Sequence, residues 1–224
     1  MIKLKKATKK YGDGSTALDG VDVVIEDGEF VFLVGPTGAG KTTVFRLLTK
    51  EIELSSGEVE VDGEDLRKMR KKDIYKLRRK VGRIFQDLKL LDNRTIYENT
   101  AMVLEIFGKK KNEIDKEVKE VLKSVGILGF KDKFPAQLSG GELQRAAIAR
   151  AIIGKPKYLL CDEPTADLDP ETTWEIMDIL RKINDDGTTL IVATHDIDIV
   201  NSFKKRVVKL LEGQVTSDKE GKYD

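Results

Sequence analysis

One stretch constrains this chain most: Gly35, Pro36, Thr37, Gly38, Ala39, Gly40, Lys41, Thr42 and Thr43, directly after the apolar run Phe30 to Val34. An apolar run that stops in glycines reads as a buried strand ending in a tight loop. The spacing G-x-x-x-x-G-K-T, set between a strand and a helix, is that of a phosphate-binding loop. The glycines let backbone N–H groups close around phosphate oxygens, and the helix start adds its partial positive charge. Lys41 would reach the β- and γ-phosphates, and the Thr42 hydroxyl would ligate Mg²⁺. The alternative is a chance glycine-rich turn; the strand before, the helix after and the Lys-Thr pair argue against it. The motif implies a nucleoside triphosphate and leaves its use open.

The remainder fits one α/β unit of 224 residues. Ile2 and Leu4 alternate with lysines, and Val21, Val23 and Ile25 alternate with polar residues. Such alternation suits an antiparallel sheet with one wet face. Asp62-Gly63 marks a turn after Val59 and Val61. Asn112 opens a helical pattern with Ile114, Val118, Val121, Leu122 and Val125 on one face. Tyr158 to Cys161 and Leu190 to Ala193 read as further buried strands. Between them Asp169 caps a helix beginning at Pro170, with Ile176, Ile179, Leu180 and Ile183 as its apolar face and Gly187 as its stop. Strands alternating with helices predict an α/β fold with a mostly parallel sheet, the core of a P-loop NTPase. An N-terminal antiparallel β subdomain joins it. The helical stretch 87–150 is expected to be an inserted subdomain between 1–86 and 151–224.

Charge and composition then exclude several roles. Forty Lys and Arg against 39 Asp and Glu leave a net charge of +1, so overall charge points to no nucleic acid and no anionic membrane. Arg67, Lys68, Arg70, Lys71, Lys72, Lys76, Arg78, Arg79, Lys80 and Arg83 are dense. A nucleic-acid surface would want stacking aromatics among them, and a solvated helix face fits better. The Lys109–Lys111 run reads as a loop. Cys161 is the only cysteine, which rules out an intrachain disulfide and suits a reducing cytoplasm; in its apolar strand it reads as a small core residue. The N-terminus lacks a signal-peptide core, and no apolar run nears the ~20 residues that span a bilayer. Any membrane role has to be borrowed from a partner.

Two further features carry chemistry. Asp162 and Glu163 follow an apolar strand, where ligands of open α/β sheets bind. Beside a phosphate-binding loop, Asp162 would hold Mg²⁺ through water and Glu163 would orient and deprotonate an attacking water. Leu138, Ser139, Gly140, Gly141 and Glu142 begin a second helix, since Ser139 and Glu142 form a capping box. That is either an ordinary capped start or a second anion contact.

With those residues in view the sequence resembles an ABC ATPase along essentially its whole length. Leu138 to Glu142 resembles the family signature and lies just before the acidic strand, as the family requires. The resemblance implies several roles. Tyr11 would stack on adenine. Gln86 would touch Mg²⁺ and water and link to the helical subdomain. Ala166, Asp167, Leu168 and Asp169 would form a loop that crosses the dimer interface, with Asp167 where Ala or Asn is common. His195, the only histidine, would contact the γ-phosphate. The resemblance also implies a homodimer formed on ATP binding, in which Ser139, Gly140, Gly141 and Glu142 of one copy cover the ATP held by Lys41 of the other. Phe85 to Leu91 with Asn93 to Asn99, and the tail Asp218 to Tyr223, are similar to the cell-division (FtsE) branch of the family. That branch implies an integral membrane partner of the FtsX type, control of a cell-wall hydrolase, and a place on the inner face of the cell membrane. ATPases for lipoprotein release, efflux or amino-acid uptake share much of the same wording.

Overall fold

The computed structural model describes residues 1–221; Tyr223, part of the family-like tail, lies outside the described residues. Two sheets organise the chain. The first is antiparallel, with β1 (Ile2–Lys10), β2 (Thr16–Ile25), β4 (Ser56–Val61) and β5 (Glu64–Asp65) in the order β2-β1-β4-β5. The second holds β3 (Phe30–Val34), β6 (Val81–Ile84), β7 (Tyr158–Asp162), β8 (Thr189–Thr194), β9 (Arg206–Leu211) and β10 (Gln214–Glu220), ordered β10-β9-β3-β8-β7-β6. All its pairings are parallel except β9 with β10. The predicted α/β fold with a mostly parallel core and an antiparallel N-terminal sheet is therefore the observed one.

Alternation along β3 shows how the core is built. Phe30, Phe32 and Val34 join Ile84, Leu159, Cys161, Leu190 and Val192 on one face of the parallel sheet. Val31 and Leu33 join Val81, Tyr158, Leu160, Ile191 and Val208 on the other. A strand buried on both faces reads as a continuous apolar run, which is why β3, β7 and β8 were visible in the sequence. The second face packs on α1 (Lys41–Leu48) and the antiparallel sheet, through Val44, Phe45 and Leu48 against Leu4, Val21 and Val59.

The first face is covered by α3 (Ile96–Ile106), α4 (Lys111–Ser124), α5 (Gly140–Ile152) and α6 (Pro170–Asp185). Ile114, Val118 and Leu122 of α4 are buried, as its periodicity predicts. Gly187, at φ 99, follows the end of α6. Two boundaries move. The Lys109–Lys111 run is a loop only as far as Lys110, and Lys111, one residue before Asn112, opens α4. Lys109 is held by Glu117 at 2.6 Å. Leu104, Leu122 and Ile148 share one apolar cluster with the sheet residues Phe32 and Ile84, and α5 runs past residue 150 to Ile152.

The basic stretch around α2 (Ile74–Lys80) is laced with acids. Arg67 and Lys68 pair with Asp65, Arg70 and Lys76 with Asp73, and Lys80 with Asp62 and Glu64. Among the described residues no helix is long and apolar enough to cross a membrane.

Candidate active site

Strand order decides where a site can form. β8 lies between β3 and β7, and register brings Val34 opposite Thr194 and Asp162 opposite Ala193. The carboxyl ends of three parallel strands are thus level, and whatever follows each strand meets the others. After β3 comes the glycine loop, after β7 Glu163, and after β8 His195.

They line one cavity of about 240 Å³, whose wall runs from Pro36 to Thr43 and includes Gln86, Asp162, Glu163, Ala166 and His195. Gly35 and Gly40 shape the loop. Gly35 has φ 151 and an added Cβ would lie 2.2 Å from the Leu210 carbonyl oxygen; Gly40 has φ 106 and would meet the Ala17 carbonyl oxygen at 2.6 Å. Only glycine fits two positions with both a positive φ and backbone at that range. Gly40 is also the N-cap of α1, so the loop delivers free N–H groups at a helix N-terminus.

The side chains converge. Lys41 is buried, its Nζ donates to the Gly35 carbonyl at 2.6 Å, and it lies 3.6 Å from Glu163 Oε1. Glu163 has φ 48, a left-handed conformation that is uncommon away from glycine, and such strain clusters at functional positions. His195 Nδ1 is 3.1 Å from both Glu163 carboxylate oxygens. Glu163 therefore sits between an ammonium and an imidazole. Thr42 Oγ1 donates to Asp162 Oδ1 at 3.3 Å. Burial pushes the Asp162 carboxyl above its usual range, against the pull of the Thr42 hydrogen bond and the Arg83 charge.

Other sequence-predicted residues fall elsewhere. Tyr11 is no part of the cavity wall; its ring carries Lys9 Nζ at 5.2 Å from the centroid, and its hydroxyl accepts from Arg46 Nη1 at 3.5 Å. Ser139, Gly140, Gly141 and Glu142 are absent from the wall as well. They start α5 with the capping box read from the sequence, Ser139 N donating to Glu142 Oε2 at 2.7 Å. Gly141 lies against α6, where an added Cβ would be 2.6 Å from Thr172 Cγ2. Cys161 is buried, and burial raises its thiol well above the ordinary value, which leaves it an inert core residue. Sequence reasoning missed Arg83 as a site neighbour, because it was one arginine in a basic run. It stands 3.7 Å from Asp162 Oδ2.

The donor set fits Mg²⁺. Thr42 and Asp162 offer hard oxygens side by side, and the Gln86 amide lines the same wall. Among the described residues no three His, Cys, Asp or Glu side chains gather as a metal site. A metal here has to take its remaining ligands from water and phosphate, which is how Mg²⁺ is held beside nucleotides.

The ABC transporter family model matches residues 18–166. The chain is 47% identical to the cell division ATP-binding protein FtsE of Streptococcus pneumoniae (strain D39), over 100% of this chain and 97% of that protein. The chain belongs to the ABC ATPase family, in its FtsE group. It is 44% identical to FtsE of Bacillus subtilis (strain 168), over the full length of both. Among solved structures it is similar to a dimeric post-hydrolysis state of the ATP-binding cassette MJ0796 bound to ADP and Pi. That likeness has a TM-score of 0.91 and 36% identity and covers 100% of both chains. An ABC ATPase hydrolyses ATP to ADP and phosphate, and in the cavity described here the glycine loop meets Asp162 and Glu163.

Proposed function

We propose that this chain is the ATP-hydrolysing half of a cell-division complex. Two copies close head to tail on two ATP molecules and move an integral membrane partner of the FtsX type, which controls a cell-wall hydrolase. One observation carries the reading. The cavity wall contains the phosphate loop, Gln86, Asp162, Glu163 and His195 and none of Ser139, Gly140, Gly141 and Glu142. The exposed N-terminus of α5, with Ser139 as its cap, thus remains to serve a site on a second copy.

In this reading the loop from Gly35 to Thr43 cradles the phosphates, with Lys41 on the β- and γ-groups. Thr42, Asp162 and Gln86 would hold Mg²⁺, which when bound would supply positive charge against the charge developing on the phosphates. Glu163 orients the attacking water and takes its proton; the His195 contact at 3.1 Å supports this by fixing the carboxylate. His195 then also meets the γ-phosphate, and Tyr11 stacks on the adenine. The helices between 87 and 150 move as an arm hinged near Gln86. Because the chain borrows its membrane contact, it sits at the cytoplasmic face through its partner.

The test is recovery of tagged Glu163→Gln with ATP and Mg²⁺ from native membranes, followed by mass spectrometry. The expected companion is one FtsX-like membrane protein. A permease accompanied by a solute-binding or lipoprotein-carrier protein would make this a transporter ATPase instead.

A further inference from the structure

We infer that Arg83 is a positioning residue for Asp162: it holds one carboxylate oxygen so that the other faces the Thr42 hydroxyl. The inference rests on the Mg²⁺–ATP reading of the site given above.

Register brings the two together. β6 is the edge strand of the parallel sheet, and its Arg83 pairs with Leu160 of β7. Side chains alternate along a strand, so Asp162, two residues on from Leu160, shares a face with Arg83. The Arg83 side chain is 7% exposed and its guanidinium carbon is 4.4 Å from the Phe85 ring centroid. Nη1 donates to Glu51 Oε1 at 2.6 Å, and Nη2 is 3.7 Å from Asp162 Oδ2. Glu51 is in turn held by the Thr49 hydroxyl at 2.8 Å and lies 3.9 Å from Arg46 Nε. A line of charges therefore runs from the protein surface to the buried carboxylate.

Packing alone does not explain this arginine. Its Nε is buried without a hydrogen-bond partner, and its strand neighbours Val81 and Ile84 are apolar core residues. A buried ion pair is weak evidence for stability, because an apolar residue of similar volume often packs as well. Here the pair has a geometric consequence. Asp162 Oδ2 faces Arg83 and Oδ1 accepts from Thr42, so the carboxylate is oriented from both sides. Partners of this kind behind a metal-binding carboxylate set its direction and tune the metal's affinity.

Orientation and bare electrostatics predict opposite signs. Removing a cation beside Asp162 would, by charge alone, strengthen its hold on Mg²⁺. Releasing an oriented carboxylate weakens it. The experiment uses the full chain with Glu163→Gln to preserve nucleotide, and follows a fluorescent ATP analogue first in EDTA and then through a Mg²⁺ titration. Arg83→Met is expected to leave the affinity in EDTA unchanged and to raise the Mg²⁺ needed for half-maximal tightening by ~10-fold or more. Arg83→Lys, which keeps the charge and loses the fork, should fall between. If Arg83→Met does not fold, Glu51→Ala removes the acceptor at the far end of Arg83 and should shift the midpoint the same way by less. An unchanged or lower Mg²⁺ midpoint in the folded variant overturns the inference. Absence of any Mg²⁺ dependence in the chain carrying native Arg83 and Glu51 overturns the reading of Asp162 itself, and this inference with it.

Discussion

Asp162 and Glu163 are adjacent carboxylates with different surroundings. Asp162 ends a buried strand and is enclosed by Thr42 and Arg83, while Glu163 turns through a positive φ of 48 toward Lys41 and His195. That backbone turn gives two neighbours in sequence two different surroundings, which suits the proposed split of one toward a cation and one toward water. Glu163→Gln preserves size and removes the proton acceptor, so hydrolysis should fall by ~10²–10⁴-fold with ATP binding retained. Phosphate release and nucleotide binding measured on the same preparation check this; native turnover in the variant would remove Glu163 from the base role. The placement of both carboxylates in the cavity wall was legible from residue type and position. The contact of His195 with Glu163 was not, because a lone histidine after a strand carries no sign of which side chain it meets.

Helices and strands differed in how openly they were written. The α6 cap is as the sequence has it: Asp169 accepts from Thr172 N at 3.0 Å with Pro170 behind it. Helix α3 lacked a clean apolar stripe, since Asn99 and Thr100 are buried with Ile96, Ala101 and Leu104. Asn99 uses that burial by bonding Leu91 N at 2.8 Å and the Arg94 carbonyl at 3.1 Å, tying the preceding loop to the helix. What announces α3 is its capping box, Glu98 N donating to Thr95 Oγ1 at 3.2 Å and Thr95 N to Glu98 Oε2 at 2.8 Å. Thr95→Ala should therefore cost about 1 kcal/mol of stability. In urea unfolding this appears as a lower midpoint with an unchanged slope; an unchanged midpoint would mean that packing alone holds the helix start. β10 was hard to foresee because it is an edge strand whose side chains are mostly exposed, and α7 (Ile197–Phe203) is too short to show a period.

At the scale of the whole molecule, charges tie the two sheets together. Asp62, in the turn between β4 and β5, binds Lys157 at 2.5 Å and Lys80 at 2.7 Å, and Lys157 immediately precedes β7. The Lys157 bond first, then Lys80, holds the Asp62 carboxyl below its ordinary 3.8. A lowered carboxylate stabilises the fold at every pH above the ordinary value, and that gain is lost as pH falls through its folded value. Asp62→Asn should thus lower stability at pH 7, and Tm with it, by about 1 kcal/mol or less because both partners are partly solvated, and the gap should begin to close as pH falls below about 4. An equal gap at both ends of that range, by calorimetry, would assign the loss to something other than charge. A second prediction concerns two copies. Ser139→Arg should leave ATP binding by a single copy intact and block ATP-driven dimerisation of a Glu163→Gln chain. ATP-dependent dimers of the double variant, by light scattering, would show that the signature does not meet a partner's nucleotide.

The sequence by itself determined the phosphate loop, both carboxylates, two helix caps and the order of buried strands. Each depends on local chemistry: a glycine where φ is positive, a hydroxyl three residues before a glutamate, an apolar run long enough for one strand. Tertiary structure alone decided which of these meet. Parallel pairing of β8 with both β3 and β7 levels three strand ends, so residues 41, 163 and 195 share one cavity. The same sheet carries Arg83 onto the face of Asp162 from a strand roughly 80 residues away. Such encounters depend on strand order and register, which arise from long-range burial and leave no mark in any short window of the sequence.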